Sequence, residues 1–273
     1  MTDVSASMPL EGAKPPLGIG SIISRTLSIL GSRALVIFGI AVLVQLAFVL
    51  VNALVIAPNM LGSLDPGGVP AFSVSTVLIS AALSSIVYSI MYALITMAAY
   101  DGAAGNETRL GSYISTTMRN IVPLVVVMFV SILAVYLGLL LLIVPGLWVM
   151  AVLSVVVPAV VIDKAGFGAF GRSARLTKEY RWPIVGLFII TGLIAYALII
   201  VLNGLIATAF GLGFLAQFTD PFAVLASPGY QIVSGAIGAL PLAFLVTVAA
   251  VLFARLKEIK EGLGFEDLSR VFD

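Results

Sequence analysis

Residues 121–162 read IVPLVVVMFVSILAVYLGLLLLIVPGLWVMAVLSVVVPAVVI and contain no Asp, Glu, Lys or Arg. The run is apolar throughout, and it is long enough for two membrane-crossing helices, because a bilayer core of roughly 30 Å needs about 20 apolar residues. Proline fixes φ and glycine permits a positive φ, so the tetrapeptide Ile143-Val144-Pro145-Gly146 predicts a tight turn. The stretch therefore predicts a hairpin of two spans, residues 121–144 and 147–162.

Four further apolar runs have the length of a span: residues 34–57, 74–100, 183–210 and 232–254. Helices are expected, because an open sheet edge in lipid would leave backbone groups unpaired, and a β-barrel would show alternating rather than continuous apolarity. The sequence thus predicts an all-α polytopic membrane protein with six transmembrane helices. The span at 147–162 is short and contains Pro158, which predicts either a kinked helix or a local pinch of the bilayer.

Composition agrees with lipid as the solvent and limits the chemistry. The 273-residue chain is 61% hydrophobic and 10% charged, whereas soluble domains carry about 25% charged residues. It contains no Cys and no His, which excludes thiolate and histidine metal sites and nucleophilic systems that use His. No cofactor is predicted, and a net charge of +1 predicts no nucleic-acid partner.

The cations follow the positive-inside pattern. All 14 Lys and Arg residues lie outside the apolar runs and on alternate connections, whereas the loops 58–72 and 211–231 carry only Asp65 and Asp220. The cationic connections contain Lys14, Arg25 and Arg33; Arg109 and Arg119; Lys164, Arg172, Arg175, Lys178 and Arg181; and Arg255, Lys257, Lys260 and Arg270. Both termini are therefore predicted to be cytoplasmic, with a disordered tail at 1–16, a membrane domain at 17–256 and a second tail at 257–273.

A short amphipathic stretch precedes each odd-numbered span, and a glycine (Gly20, Gly111 or Gly168) lies at its start. Apolar residues recur in these stretches at the spacing of one helical face. About three short helices are therefore expected on the cytoplasmic side. Two interpretations remain open: helices that lie in the membrane plane against anionic headgroups, or connectors whose apolar faces pack on the bundle.

The densest group of cations, here called the basic patch, predicts a phosphate or lipid-headgroup interface, and an ordinary positive-inside loop is the alternative. It consists of Arg172, Arg175, Lys178 and Arg181, followed by Trp182 as a candidate interfacial anchor. Asp163 is predicted to pair with Arg172 as a structural tie. Trp148 is assigned to the aromatic belt of the opposite side.

Three amides lie inside the predicted spans: Gln45, Asn52 and Asn203. Amides in lipid need hydrogen-bond partners, so these residues predict either contacts between helices or a polar substrate path. In the last span, Ser234 with Gly238 and Gly235 with Ala239 have small-xxx-small spacing, which predicts close helix packing.

Residues 162–182, IDKAGFGAFGRSARLTKEYRW, together with Pro145-Gly146 and Pro158, resemble a family of bacterial membrane proteins. The family comprises the YciC-like proteins and the membrane domain that precedes the catalytic barrel of some glycerophosphoryl diester phosphodiesterases. The resemblance extends over about residues 17–256, with Asp163 where the pattern has Glu. It implies a multi-pass protein of the bacterial inner membrane. It does not imply the phosphodiesterase activity, because the catalytic His residues of that barrel are not found in this sequence.

No reactive constellation is apparent, so the predicted function is a non-enzymatic structural or accessory subunit. It would bind membrane phospholipids and a membrane-protein partner or a second copy of itself. A transporter or lipid-translocating protein is the first alternative, and it predicts a polar cavity lined by the three amides. A membrane enzyme acting on lipid headgroups is the second, and it would need Asp163, Glu179 or Asp101 as catalytic carboxylates.

Overall fold

The computed structural model describes residues 15–51, 74–210 and 228–262, and within them every regular element is a helix. The elements are α1 (Ile19–Ser32), α2 (Ala34–Val51), α3 (Val74–Ala103), α4 (Leu110–Arg119), α5 (Ile121–Leu141), α6 (Ile143–Leu153), α7 (Val156–Val161), a 3₁₀ turn (Gly166–Gly168), α8 (Ala169–Leu176), α9 (Arg181–Ala209) and α10 (Pro228–Glu261). Asn52 and the two loops predicted on the opposite side, apart from the start of α10, lie outside the described residues.

The predicted fold class, an all-α polytopic membrane protein, is confirmed. Five stretches are long and apolar enough to cross a membrane: Ala82–Ala103, Ile121–Leu141, Ile143–Val161, Arg181–Ala209 and Ile232–Glu261. The pair formed by α1 and α2 supplies a sixth when it is counted as one span, although the two helices are bent by 83° at their junction. Such a bend turns α1 nearly perpendicular to α2.

The hairpin between α5 and α6 turns at a single residue. Leu142 has extended backbone angles, φ −164° and ψ 149°, and α6 begins at the next residue. The predicted turn at residues 143–146 is therefore wrong, because Pro145 and Gly146 belong to the first turn of α6. Proline is tolerated there since the first N–H groups of a helix have no intrahelical acceptor.

Glycine is required at the hairpin by the close approach of its two helices. A methyl group added at Gly138 would lie 2.9 Å from the Cα of Gly146, and one added at Gly146 would lie 2.5 Å from the side chain of Leu139. Both glycines are buried. Pro145-Gly146 therefore contributes to this hairpin through packing rather than through the turn itself.

The fourth span is interrupted, which is the kinked-helix alternative of the sequence analysis. Helix α6 ends at Leu153 and α7 begins at Val156. Pro158 has no N–H to donate to the carbonyl of Ser154 four residues earlier, so the regular hydrogen-bond pattern fails at this level. All residues of α7 are buried.

Helix α10 is the centre of the bundle. It packs against α1, α2, α3, α7, α8 and α9, and 67% of its span is buried, compared with 17% for α5 and 28% for α9. A methyl group at Gly235 would lie 3.2 Å from Val49 of α2, which fits the close packing predicted there, whereas no described atom lies within 4 Å of a methyl group at Gly238. The helix continues to Glu261, so residues 257–261 form part of the packed domain and not of a separate tail.

The outer helices expose large apolar side chains. Leu140 and Leu141 at the end of α5 are 83% and 77% exposed, and Leu193 on α9 is 64% exposed. A contiguous surface of this kind would be unfavourable in water, whereas hydrocarbon is its matching solvent.

The three predicted short helices are present as α1, α4 and α8. Helix α4 has one side buried against the bundle and an exposed side that carries apolar residues. Tyr113 and Thr117 of α4 are buried against the bundle, whereas Leu110 and Ile114 are 47% and 53% exposed. In α1, Ile22, Thr26, Ile29 and Leu30 are buried, whereas Leu27 is 57% exposed.

Candidate functional site

The charged side chains of the described residues meet at one end of the bundle. There, Nη2 of Arg25 donates to the carbonyl oxygen of Ala103 at 2.8 Å, and Arg33 donates to Thr108 Oγ1 at 3.0 Å and to the carbonyl of Asn106. These bonds join α1 and the start of α2 to the loop between α3 and α4. Asp101, Glu107, Arg109 and Arg119 lie at the end of α3, in the α3–α4 loop and on α4. The other charges lie where α8, the start of α9 and the end of α10 come together.

The residues of the predicted tie, Asp163 and Arg172, are in contact and belong to a larger ion-pair cluster. Asp163 Oδ2 lies 2.6 Å from Nε of Arg172, and its Oδ1 lies 2.8 Å from Nζ of Lys257. Arg172 also pairs with Glu261. The four side chains are between 13% and 26% exposed. The cluster therefore joins the segment after α7 to α8 and to the end of α10.

Local backbone geometry positions Asp163. Helix α7 ends at Val161, and the chain then reverses through Lys164 and Gly166, which have φ angles of 53° and 52°. The N–H of Ala165 bonds to the carbonyl of Ala159 at 3.1 Å and closes this reversal. Asp163 is thereby held at the start of a tight connection that leads into α8.

The electrostatics of Arg172 reflect its two carboxylate partners. Burial alone lowers the pKa of this guanidinium, because it removes water from the charged form. Hydrogen bonds and charge attraction from Asp163 and Glu261 outweigh that effect, and the pKa of Arg172 is raised above its ordinary value. Arg172 is therefore a fixed cation that holds the cluster together.

A second set of contacts ties the N-terminal segment and the α8–α9 connection to α10. Lys260 Nζ lies 3.1 Å from Glu179, Tyr180 donates its hydroxyl to the carbonyl of Pro15 at 2.8 Å, and Nη2 of Arg255 donates to the carbonyl of Pro16 at 3.4 Å. Residues 15 and 16 therefore contact the domain, although the sequence places them in the tail.

The basic patch divides into cations with different partners. Arg175 and Lys178 are exposed, and neither forms an ion pair within the described part of the chain. Trp182, four positions after Lys178 in the sequence, is 61% exposed. Arg172, in contrast, is held by the ion-pair cluster. Arg175, Lys178 and Trp182 are thus the patch residues that remain open to an external ligand.

Arg181 of the basic patch has an aromatic partner. Its guanidinium lies 4.4 Å from the centre of the Trp148 ring, a cation–π contact. Its Nε is buried without a hydrogen-bond partner in the described residues. The prediction that Trp148 belongs to a belt on the opposite side is wrong, because this tryptophan contacts the basic end.

The amides predicted inside the spans do not form a common polar site in the described residues. Gln45 lies beside α10, where a methyl group at Gly235 would be 3.8 Å from its Nε2. Asn203 Nδ2 donates to the carbonyl of Ile199 in its own helix at 2.9 Å.

The structure also contains a groove that the sequence analysis did not find, here called the lateral groove. Its volume is about 410 Å³, and it lies between α3, α5, α6, α7 and α9. Its walls include Tyr92, Met128, Ser131, Ser154 and Phe188. Residues on five different helices line the groove, so their grouping depends on the tertiary fold. Pro158, which marks the interruption at Ser154, is the only sign of it in the sequence.

The fold and this charged end define the class of the molecule: an all-α multi-pass membrane protein whose ionic contacts join its short helices to its last span. Within the described residues, no three His, Cys, Asp or Glu side chains lie close enough to hold a metal ion. Comparison of the chain with models of protein families, with curated proteins and with solved structures found no match. Membership of the YciC-like family therefore stays a prediction from the motif.

Proposed function

We propose that the protein is a non-enzymatic structural or accessory subunit of the bacterial inner membrane that binds anionic phospholipid headgroups. Both chain ends lie in the cytoplasm in this proposal. The observation that supports it is the division of the basic patch: Arg172 is neutralised by carboxylates, whereas Arg175, Lys178 and Trp182 are exposed. Exposed cations next to an interfacial tryptophan suit a negatively charged membrane surface.

The short helices support an interfacial position for this patch. Helix α1 is bent by 83° from α2, and α4 exposes Leu110 and Ile114 while burying Tyr113. An apolar edge beside charged residues is the arrangement expected of a helix at the boundary between headgroups and acyl chains.

The positions of the carboxylates favour this function over an enzyme. Asp163 is bonded to two cations, Glu179 is paired with Lys260, and Asp101 accepts a hydrogen bond from the Tyr113 hydroxyl at 2.6 Å. A catalytic acid or base needs access to a substrate proton. These three groups are engaged in contacts that stabilise the fold.

The amides likewise give no support to a transporter. That function predicts a polar cavity lined by Gln45, Asn52 or Asn203, whereas the described groove is mostly apolar and includes neither Gln45 nor Asn203.

The lipid proposal is tested by native mass spectrometry of the full chain released from nanodiscs that contain phosphatidylglycerol and phosphatidylethanolamine. Wild type is expected to retain phosphatidylglycerol preferentially. The double variant Arg175→Gln/Lys178→Gln should lose that preference, because the exposed charges that attract the headgroup are gone.

Arg109→Gln/Arg119→Gln is the matched control, since it removes two exposed cations from another connection. It should leave the preference unchanged. An equal loss with this control would contradict a local site and indicate general attraction to the charged end.

The subunit part of the proposal has a separate test, made clean by the absence of native Cys. Leu193→Cys places a thiol on the exposed face of α9, and Ile184→Cys places one in the core of the same helix. Oxidative crosslinking in native membranes should capture a second copy or a neighbouring membrane protein at position 193 and none at 184. If position 193 gives no adduct, this face is covered by lipid and the subunit assignment fails.

A further inference from the structure

We propose that the lateral groove binds a single-chain lipid with a neutral, oxygen-containing head, such as a long-chain alcohol or carbonyl compound, which enters sideways from the bilayer. The inference rests on the proposed membrane location of the chain, but not on headgroup binding by the basic patch.

The position of the groove requires an occupant from the bilayer. Its rim on α5 is formed by Ile132, Tyr136 and Leu139, which are 41%, 67% and 39% exposed on the lipid-facing side. From Met128 to Leu139 the groove follows α5 for about 16 Å, given a rise of about 1.5 Å per residue. Its volume of about 410 Å³ falls within the roughly 300–1,000 Å³ typical of small-molecule sites.

The wall contains four hydroxyl-bearing residues, Tyr92, Ser131, Tyr136 and Ser154, and no Asp, Glu, Lys or Arg. Ser131 donates its hydroxyl to the carbonyl of Val127 at 2.6 Å, and Ser154 donates to the carbonyl of Ala151 at 2.8 Å. The protons of both serines are thus committed. The hydroxyls of Tyr92 and Tyr136 form no hydrogen bond within the described residues. Tyr136 lies at the rim and is 67% exposed, so Tyr92 is the donor that the inner wall of the groove offers to a ligand.

The depth of Tyr92 selects a neutral partner. Tyr92 precedes the end of α3 at Ala103 by about three turns, which places it roughly 16 Å from the charged end. A phosphate or carboxylate at that depth would be a buried charge without a counter-ion, which is strongly unfavourable in hydrocarbon. A saturated chain would leave the Tyr92 donor unsatisfied. A neutral carbonyl or hydroxyl oxygen on a long chain satisfies both requirements.

The interrupted span lies in the same wall. Ser154 lies at the break before α7, and Pro158 cannot supply the N–H that would reach its carbonyl. Breaks of this kind in spans are tolerated where the backbone lines a cavity or is buried in protein. Here the break and the free donor of Tyr92 border one groove.

The test uses the full chain in nanodiscs and a photoreactive long-chain alcohol as the probe, with crosslinked peptides mapped by mass spectrometry. Labelling is expected in the segments 128–139 and 150–157. Hexadecanol should displace the probe more effectively than hexadecane. Tyr92→Phe should weaken competition by hexadecanol about threefold to tenfold, the loss expected for one hydrogen bond, and leave competition by hexadecane unchanged.

Ser131→Phe fills the groove and should abolish labelling, whereas Leu133→Phe, on the exposed side of the same helix, should not. If Ser131→Phe fails to fold, the comparison of Tyr92→Phe with wild type decides. Equal competition by alcohol and alkane in wild type, labelling spread over the exposed face of α9, or a retained phospholipid that excludes the probe would each overturn the proposal. Loss of phosphatidylglycerol preference in the Arg175→Gln/Lys178→Gln variant is scored separately, so failures of the two proposals are distinguishable.

Discussion

Nζ of Lys257 lies 2.8 Å from Oδ1 of Asp163, and 94 positions of sequence separate the two residues. The same carboxylate holds Arg172 of α8 through its other oxygen. One aspartate therefore joins the end of the interrupted span, a short helix and the central helix α10. The short, basic connection between the fourth and fifth spans is fixed by this contact rather than by its own helical propensity.

Asp163→Asn should lower the free energy of unfolding by about 1–3 kcal/mol, because two mostly buried cations lose their charged acceptor. The measurement is equilibrium unfolding in detergent mixtures. Glu107→Gln removes a carboxylate from an exposed position and should change stability by less than about 0.5 kcal/mol. Equal effects of the two substitutions would show that the ion-pair cluster contributes nothing specific.

Gly146→Ala should destabilise the α5–α6 hairpin by about 1–3 kcal/mol, the usual cost of overpacking. The added methyl group would lie 2.6 Å from the backbone nitrogen of Leu139, so backbone would have to move. Gly192→Ala is the control, because no atom lies within 4 Å of its added methyl group. There alanine should be neutral or stabilise the helix by up to about 1 kcal/mol. Thermal unfolding of both variants shows whether the signs differ.

The raised pKa of the Tyr113 hydroxyl predicts that the fold loses stability at alkaline pH. Burial, followed by the hydrogen bond to Asp101, raises the pKa of Tyr113 from 10.0 to about 12. Since the folded-state pKa is the higher one, the stabilisation is complete below about pH 10 and is lost as the pH rises through about 12. In a pH series of unfolding measurements, the free energy of unfolding of Tyr113→Phe should therefore fall less than that of wild type as the pH rises through this range. Tyr196→Phe, an exposed position on α9, is the control for removal of one phenol; a wild-type profile in Tyr113→Phe would contradict the prediction.

Arg181→Met should lower stability by about 0.5–2 kcal/mol through loss of the cation–π contact with Trp148. The chain has two tryptophans, so in a Trp182→Phe background the fluorescence reports Trp148 alone. Its emission should change on Arg181→Met. Trp182→Phe by itself, at an exposed side chain, should alter stability by less than about 0.5 kcal/mol. Unchanged Trp148 emission would show that the contact is not maintained in solution.

The sequence predicts well those features that depend on local composition. Continuous apolar runs mark the spans, because an unpaired backbone or a charge in hydrocarbon is costly whatever the neighbouring helices are. The Asp163–Arg172 contact could also be predicted from the sequence, since only nine positions separate the two residues. The contact between Asp163 and Lys257 could not be predicted, because nothing in the sequence around Lys257 indicates which distant helix it faces.

Predictions of a turn and of a helix end were wrong where the same residue types occur in two kinds of structure. Pro145-Gly146 has the composition of a turn, yet Gly146 is needed for close packing and Pro145 fits the first helical turn, so the turn moves to Leu142. The last span was predicted as residues 232–254 and the C-terminal tail from residue 257, whereas the structure has one helix, α10, across this boundary. It continues to Glu261, because Lys257, Lys260 and Glu261 find partners on other elements.

The amino-acid sequence by itself determined that this chain is a bundle of apolar helices with its cations outside the spans, because transfer from water to lipid acts on each segment independently. The tertiary structure alone decided that α10 is the central helix, that Asp163 joins three elements, and that a groove opens beside Tyr92. Those features depend on which faces of distant helices meet, and uniformly apolar helices carry little periodic signal to specify it.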